Sequence, residues 1–155
     1  MQRPQRMREK EYFMLKNIPS IISPELLKIL MEMGHGDEIV IGDGNFPGAN
    51  LAKRLIRLDG HGVSEVLEAI LKLLPLDTYS DNTVLMQKMD CDKDLDIGIW
   101  KKYDEICRKG DSGYKGLSYI DRFKFYDRTK EAYAVIMTGE TEIYANILLK
   151  KGVVK

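Results

Sequence analysis

Gly34-His35-Gly36-Asp37-Glu38-Ile39-Val40-Ile41-Gly42-Asp43-Gly44-Asn45-Phe46-Pro47 reads as a helix stop, a short strand and a loop. A helix start precedes it at Ser23-Pro24-Glu25. Serine can cap, proline suits the first helical position, and glutamate favours the positive end of the helix dipole. Leu26, Leu27, Leu30, Met31 and Met33 supply an apolar face. Gly34 supplies the residue type that turns left-handed just past a helix end. His35 is thereby delivered to a defined position, with a glycine on either side to limit crowding. Ile39-Val40-Ile41 is wholly apolar and reads as a buried strand. Asp43 follows it in a loop rich in Gly, Asn and Pro. On this reading helix end and strand end meet at one rim of a sheet. An imidazole there can move protons near neutral pH, and a carboxylate can orient a polar ligand.

Helices and strands alternate along the rest of the chain. Lys53–Leu58 reads as a second strand, ending in the turn Asp59-Gly60-His61-Gly62. Ser64 opens a helix with Val66, Leu67, Ile70, Leu71 and Leu74 inward. Thr83–Met89 reads as a strand, and Asp96 begins a helix with Ile99, Tyr103, Ile106 and Cys107 on one face. Gly110 to Gly116 reads as a loop. Asp121 is positioned to cap a helix from Arg122 to about Ala132. Tyr133–Thr138 and Tyr144–Leu149 read as the last two strands. The pattern predicts an α/β fold, a single compact domain with helices packed against a mixed β-sheet. Residues 14–155 form that domain. Residues 1–13 are charged, lack a signal-peptide core, and are expected to be a disordered extension, with Met14 an alternative start.

The 155 residues carry 24 Lys+Arg and 24 Asp+Glu, so the formal net charge is zero. That balance argues against nucleic acid or an anionic membrane as the main partner, and no apolar run reaches the length of a membrane span. The two cysteines, Cys91 and Cys107, lack C-x-x-C spacing and read as reduced thiols of a cytoplasmic protein. With only two histidines and two cysteines, a zinc site built from Cys and His would need an improbable convergence of side chains far apart in sequence. Neither a dinucleotide fingerprint, nor a phosphate loop, nor a nucleophile elbow occurs.

Several side chains stand out as carriers of chemistry. His35 reads equally as a proton-transfer group and as a residue closing a helix. Asp43 reads as a ligand for hydroxyls or as a turn cap. Arg122 and Tyr126 are four apart on one helix and share a face, so they can grip a polyhydroxylated ligand or sit at the core edge. Tyr144-Ala145-Asn146 offers a phenol and an amide, the latter both donor and acceptor. Phe46 suits an apolar sugar face or loop packing. Trp100 reads as core or interface, His61 as an exposed turn residue, and the methionines as core filler.

Taken together, these residues resemble the family of ribose pyranases and fucose mutarotases from about Met14 to Val154. The resemblance is carried by Ile22-Ser23-Pro24-Glu25-Leu26-Leu27, Met33-Gly34-His35-Gly36-Asp37-Glu38-Ile39, and Asp43-x-x-Phe46-Pro47. It continues in Arg122-Phe123-x-Phe125-Tyr126, in Thr138-Gly139-Glu140, and in Tyr144-x-Asn146 with the following Ile147 to Val153. The fucose mutarotase branch is the nearer one, since ribose pyranases generally carry histidine where Arg122 falls. Gly44-Asn45 departs from the Ala-His of some fucose mutarotases, which leaves His35 as the histidine to consider.

The resemblance implies an isomerase that interconverts the anomers of L-fucose, with ribose as a second sugar. It implies that His35 donates the proton, that Asp43, Arg122, Tyr144 and Asn146 bind the sugar, and that Tyr126 is a further hydroxyl nearby. No cofactor and no metal are expected. The family is known for ring-shaped homo-oligomers, commonly decamers, with sites near subunit contacts. A ribose pyranase and a non-catalytic sugar-binding ring are the competing readings.

Overall fold

The computed structural model describes residues 14–155. The extension expected at residues 1–13 lies outside the described residues. Among the described residues, five α-helices and six strands follow in the order α1 (Pro24–Glu32), β1 (Glu38–Gly42), α2 (Gly48–Leu51), β2 (Leu55–Leu58), α3 (Val63–Leu71), β3 (Thr83–Met86), α4 (Gly98–Gly110), β4 (Ser118–Ile120), α5 (Arg122–Glu131), β5 (Ala134–Thr138) and β6 (Ile147–Lys150). A 3-10 turn, Asp90–Asp92, separates β3 from α4.

The strands form one mixed sheet in the order β2-β5-β1-β6-β3-β4. β1 pairs in parallel with β5, Ile39 opposite Ala134, and antiparallel with β6, Ile39 opposite Leu149. Successive side chains of a strand point to opposite faces, and that period sorts the core. Ile39, Ile41, Ile136, Leu85 and Ile147 pack with residues of α1, α3 and α4. Val40, Val84, Val135, Met137 and Leu148 pack with Phe46 and with Phe125 of α5. The central strands are apolar throughout because both of their faces are covered.

The helix start predicted at Ser23 is present: its hydroxyl accepts from the Leu26 N–H at 3.1 Å, with Pro24 next. The helix stop differs from expectation. Gly34 is not left-handed; its N–H donates to Asp37 Oδ2 at 2.7 Å, and the left-handed residue is Gly36, φ 87°. Met31 is exposed, and Ile29 takes the inward place instead. The loop after Asp43 contains the short helix α2, and β4 pairs with β3 where no strand was expected. β3 stops at Met86, and β6 begins at Ile147, so Tyr144 and Asn146 precede the last strand. Gly42 is required by close approach: a Cβ there would stand 2.8 Å from the Phe46 ring.

Candidate functional site

A cavity of about 270 Å³ opens at the C-terminal end of β1, among Asp43, Asp92, Arg122, Tyr126, Tyr144 and Asn146. Five of the six residues singled out in the sequence therefore converge on one small space. The volume lies just below the ~300–1,000 Å³ of drug-sized sites. Asp43 is buried at its floor. Its Oδ1 accepts from the Asn45 N–H at 3.0 Å, and its Oδ2 from the Ala145 N–H at 3.4 Å. Burial pushes the Asp43 carboxyl above its ordinary value, against the pull of those backbone donors. The Asp43 N–H donates to Asn146 Oδ1 at 2.8 Å. That bond turns the Asn146 carbonyl inward and leaves its two amide donors without a protein partner among the described residues.

α5 supplies the opposite wall. Asp121 caps it by accepting from the N–H groups of Phe123 and Lys124, each at 3.1 Å. Arg122 is thus the first helical residue, and Tyr126 stands one turn on. Arg122 Nε donates to the Tyr126 hydroxyl at 3.3 Å, while its terminal guanidinium nitrogens have no protein partner among the described residues. Phe46 is buried, its ring edge-on to Phe125 and Tyr126, and it lines the cavity while packed against that wall.

α4 grips the third wall. The Trp100 indole N–H donates to the Tyr144 carbonyl at 2.7 Å, and the Tyr103 hydroxyl to the Ala145 carbonyl at 2.8 Å. Held in this way, Tyr144 adopts φ 54°, a left-handed conformation rare for a residue with a side chain. Its hydroxyl donates to Asp92 Oδ2 at 2.6 Å and accepts from the Met89 N–H at 3.2 Å. Trp100 therefore serves the cavity wall as well as the core.

His35 is not in this cavity. It precedes β1, whereas Asp43 follows it, so the whole strand separates them. Five residues at about 3.3 Å each give roughly 16 Å. The expectation that both meet at one rim fails because β1 begins only after the Gly36 turn and runs away from His35. His35 Nε2 instead stands 3.1 Å from Oδ1 of the buried Asp77. An ionised carboxylate only accepts, so Nε2 carries the proton and Nδ1 is left for other work. Asp77 also accepts from the Tyr79 N–H at 3.2 Å and the Ser80 hydroxyl at 2.9 Å. Burial pushes the Asp77 carboxyl up, but these bonds, that from His35 first, outweigh it and hold it down at about 2. The Tyr79 ring lies 5.4 Å from the imidazole and is largely exposed.

Sequence reasoning missed Asp77, Asp92 and Met89. Asp77 lies 42 positions from His35 and Asp92 lies 52 from Tyr144, and no local spacing signals such pairs. A larger cleft of about 550 Å³ lies beside the start of α3, lined by Gly62, Glu65, Lys102 and Glu140 among others. It holds none of the convergent groups described above, so size alone does not select it. His61 pairs there with Glu65 at 3.2 Å. Among the described residues no group of three or more His, Cys, Asp or Glu side chains is arranged to hold a metal ion.

A profile of the RbsD / FucU transport protein family matches residues 16–154. The fucose mutarotase of Danio rerio is 46% identical over 145 residues, spanning 90% of this chain and 94% of its own. That of Homo sapiens is 45% identical over the same shares. The crystal structure of a fucose mutarotase from Streptococcus pneumoniae in complex with L-fucose superposes with a TM-score of 0.85 at 49% identity, covering 91% of this chain and all of that one.

Proposed function

The chain belongs to the RbsD / FucU transport protein family, and from that premise we propose that it is a fucose mutarotase. It interconverts the α and β anomers of L-fucopyranose by opening and reclosing the ring. The observation that carries the reading is the cavity in which a buried carboxylate, a free amide, a guanidinium and a phenol converge. Such a set of donors and acceptors matches the hydroxyls of one monosaccharide.

The reaction needs a base for the anomeric hydroxyl proton and an acid for the ring oxygen. The open aldehyde then rotates about its first carbon–carbon bond and closes on the other face. The C1–O5 bond breaks and re-forms while protons pass to and from the two oxygens, with no change of oxidation state and no group transferred, so the proposal includes independence of any cofactor. Asp43 and Asn146 hold hydroxyls at the floor. Arg122 anchors the sugar from α5 and steadies developing negative charge. Tyr126 holds the guanidinium and adds a second hydroxyl. His35 transfers the proton through Nδ1, with Asp77 fixing the tautomer and the ring's direction. A positioned group of this kind gives ~10²–10⁴-fold.

His35 and the cavity lie at opposite ends of one subunit, so the working site is completed by a neighbour in this reading. His35 of one copy faces the Asp43 cavity of the next. Exposed Tyr79 beside His35, and exposed Phe123 and Ile143 beside the cavity, are apolar surfaces suited to such a contact. A homo-oligomeric ring, a decamer by resemblance, is part of the same proposal. So is a cytoplasmic setting, supported by two unpaired thiols, Cys91 and Cys107. No described helix is long and apolar enough to cross a membrane.

Saturation-transfer NMR of anomer exchange on L-fucose and D-ribose, with the unaltered chain and His35→Ala, tests the reading. Fast exchange on fucose that His35→Ala abolishes is expected. Binding without exchange would make the chain a sugar-binding ring, and faster turnover of ribose would make it a ribose pyranase.

A further inference from the structure

We infer that Asp92 is a positioning residue that fixes the Tyr144 phenol as a hydrogen-bond acceptor toward the sugar. The inference rests on the functional reading above and extends it to a residue outside the predicted set. A phenol has one proton and two lone pairs. The Tyr144 proton goes to Asp92 Oδ2 at 2.6 Å, a length typical of a bond to a charged acceptor. One lone pair receives the Met89 N–H at 3.2 Å. What remains toward the cavity is a single acceptor. Tyr144 can therefore receive a proton donor from the sugar and cannot offer one.

The surrounding donors divide the sugar's hydroxyls accordingly. Arg122 and the Asn146 amide nitrogen only donate, so they take oxygens that accept. The Asp43 carboxylate and Tyr144 only accept, so they take hydroxyls that donate. Without Asp92 the phenol could rotate its proton into the cavity and meet a hydroxyl in the opposite sense. The Asp92 charge also polarises the Tyr144 O–H bond, which strengthens the oxygen as an acceptor. Burial first and this bond second raise the Tyr144 hydroxyl above its ordinary value, so it keeps its proton. The left-handed backbone at Tyr144, pinned by Trp100, aims the ring at Asp92.

The alternative is that Asp92 merely shapes its 3-10 turn or touches the sugar itself. A double-mutant cycle separates these. L-fucose exchange is measured for the unaltered chain, Asp92→Ala, Tyr144→Phe and the double variant, with Asp92→Asn as the shape-preserving substitute should the alanine variant unfold. Each single change is expected to lower kcat/KM by about tenfold to a hundredfold, and the double variant no further than the worse single one. Asp92→Asn, which can still accept, is expected to retain more than Asp92→Ala. Ultraviolet difference titration is expected to show one tyrosine ionising at lower pH in Asp92→Ala, and not in the double variant. Losses that multiply in the double variant overturn the inference and leave the mutarotase reading intact. An unaltered chain that neither binds nor exchanges L-fucose overturns both.

Discussion

His35 and Asp43 stand at opposite ends of strand β1, the imidazole three residues before Glu38 and the carboxylate directly after Gly42. In the function proposed above, a single subunit therefore holds two half-sites, one at each end of that strand. One is a His35–Asp77 pair with a free Nδ1. The other is a cavity of hydroxyl-binding groups without a nearby imidazole.

Asp77→Asn is expected to lower fucose exchange roughly tenfold to a hundredfold, the weight of a hydrogen bond to a charged group. The amide can present its NH2 to His35 Nε2 and so select the other tautomer. NMR exchange rates check this, with sizing to confirm an unchanged assembly. Full activity in the variant would remove Asp77 from the proton-transfer unit.

Acid should weaken the fold through the same residue. A carboxyl held below its ordinary value of 3.8, at about 2 in Asp77, stabilises the folded state while it is ionised. That contribution is complete above about pH 4 and is lost as pH falls toward 2. Melting temperature measured from pH 5 to 2 should fall more steeply for the unaltered chain than for Asp77→Asn. Parallel curves would contradict the assignment.

Asp121→Ala removes the side chain that caps α5 at two N–H groups. A stability loss of ~0.5–2 kcal/mol is expected in denaturant titrations. Because Arg122 is the first residue of that helix, fraying should also raise the KM for fucose. A stability loss with unchanged KM would mean that Arg122 does not need the helix to reach the sugar.

Arg122→His is expected to reduce fucose exchange more than ribose exchange, since a shorter donor must reach the same hydroxyls. The ratio of the two rates, measured on one sample by NMR, is the readout. Equal losses would show that Arg122 anchors a part common to both sugars.

Much of this arrangement is legible in the sequence where the signals are local. Ser23-Pro24 and Asp121 mark helix starts because capping acts within three residues. The near-complete burial of β1 and β5 shows as unbroken apolar runs because both faces are covered. The cavity residues are recognisable as chemistry-bearing types next to element ends. Direction is what the one-dimensional reading lacks. Whether His35 and Asp43 share a rim depends on where β1 begins, and the left-handed residue is Gly36, not Gly34. The partners Asp77 and Asp92 are set by sheet order and by the packing of α4 against residues 144 and 145, which no short window contains.

In the proposed function a working site takes His35 from one subunit and the Asp43 cavity from another. Co-assembly of His35→Ala with Asp43→Ala, two variants each expected to be inactive alone, tests it most directly. In a ring of randomly mixed subunits about a quarter of the sites would combine an intact His35 with an intact cavity. Fucose exchange measured by saturation-transfer NMR should then recover to about that share of the unaltered rate. Mixed rings with no exchange would mean that both residues act within one subunit and would overturn the shared site.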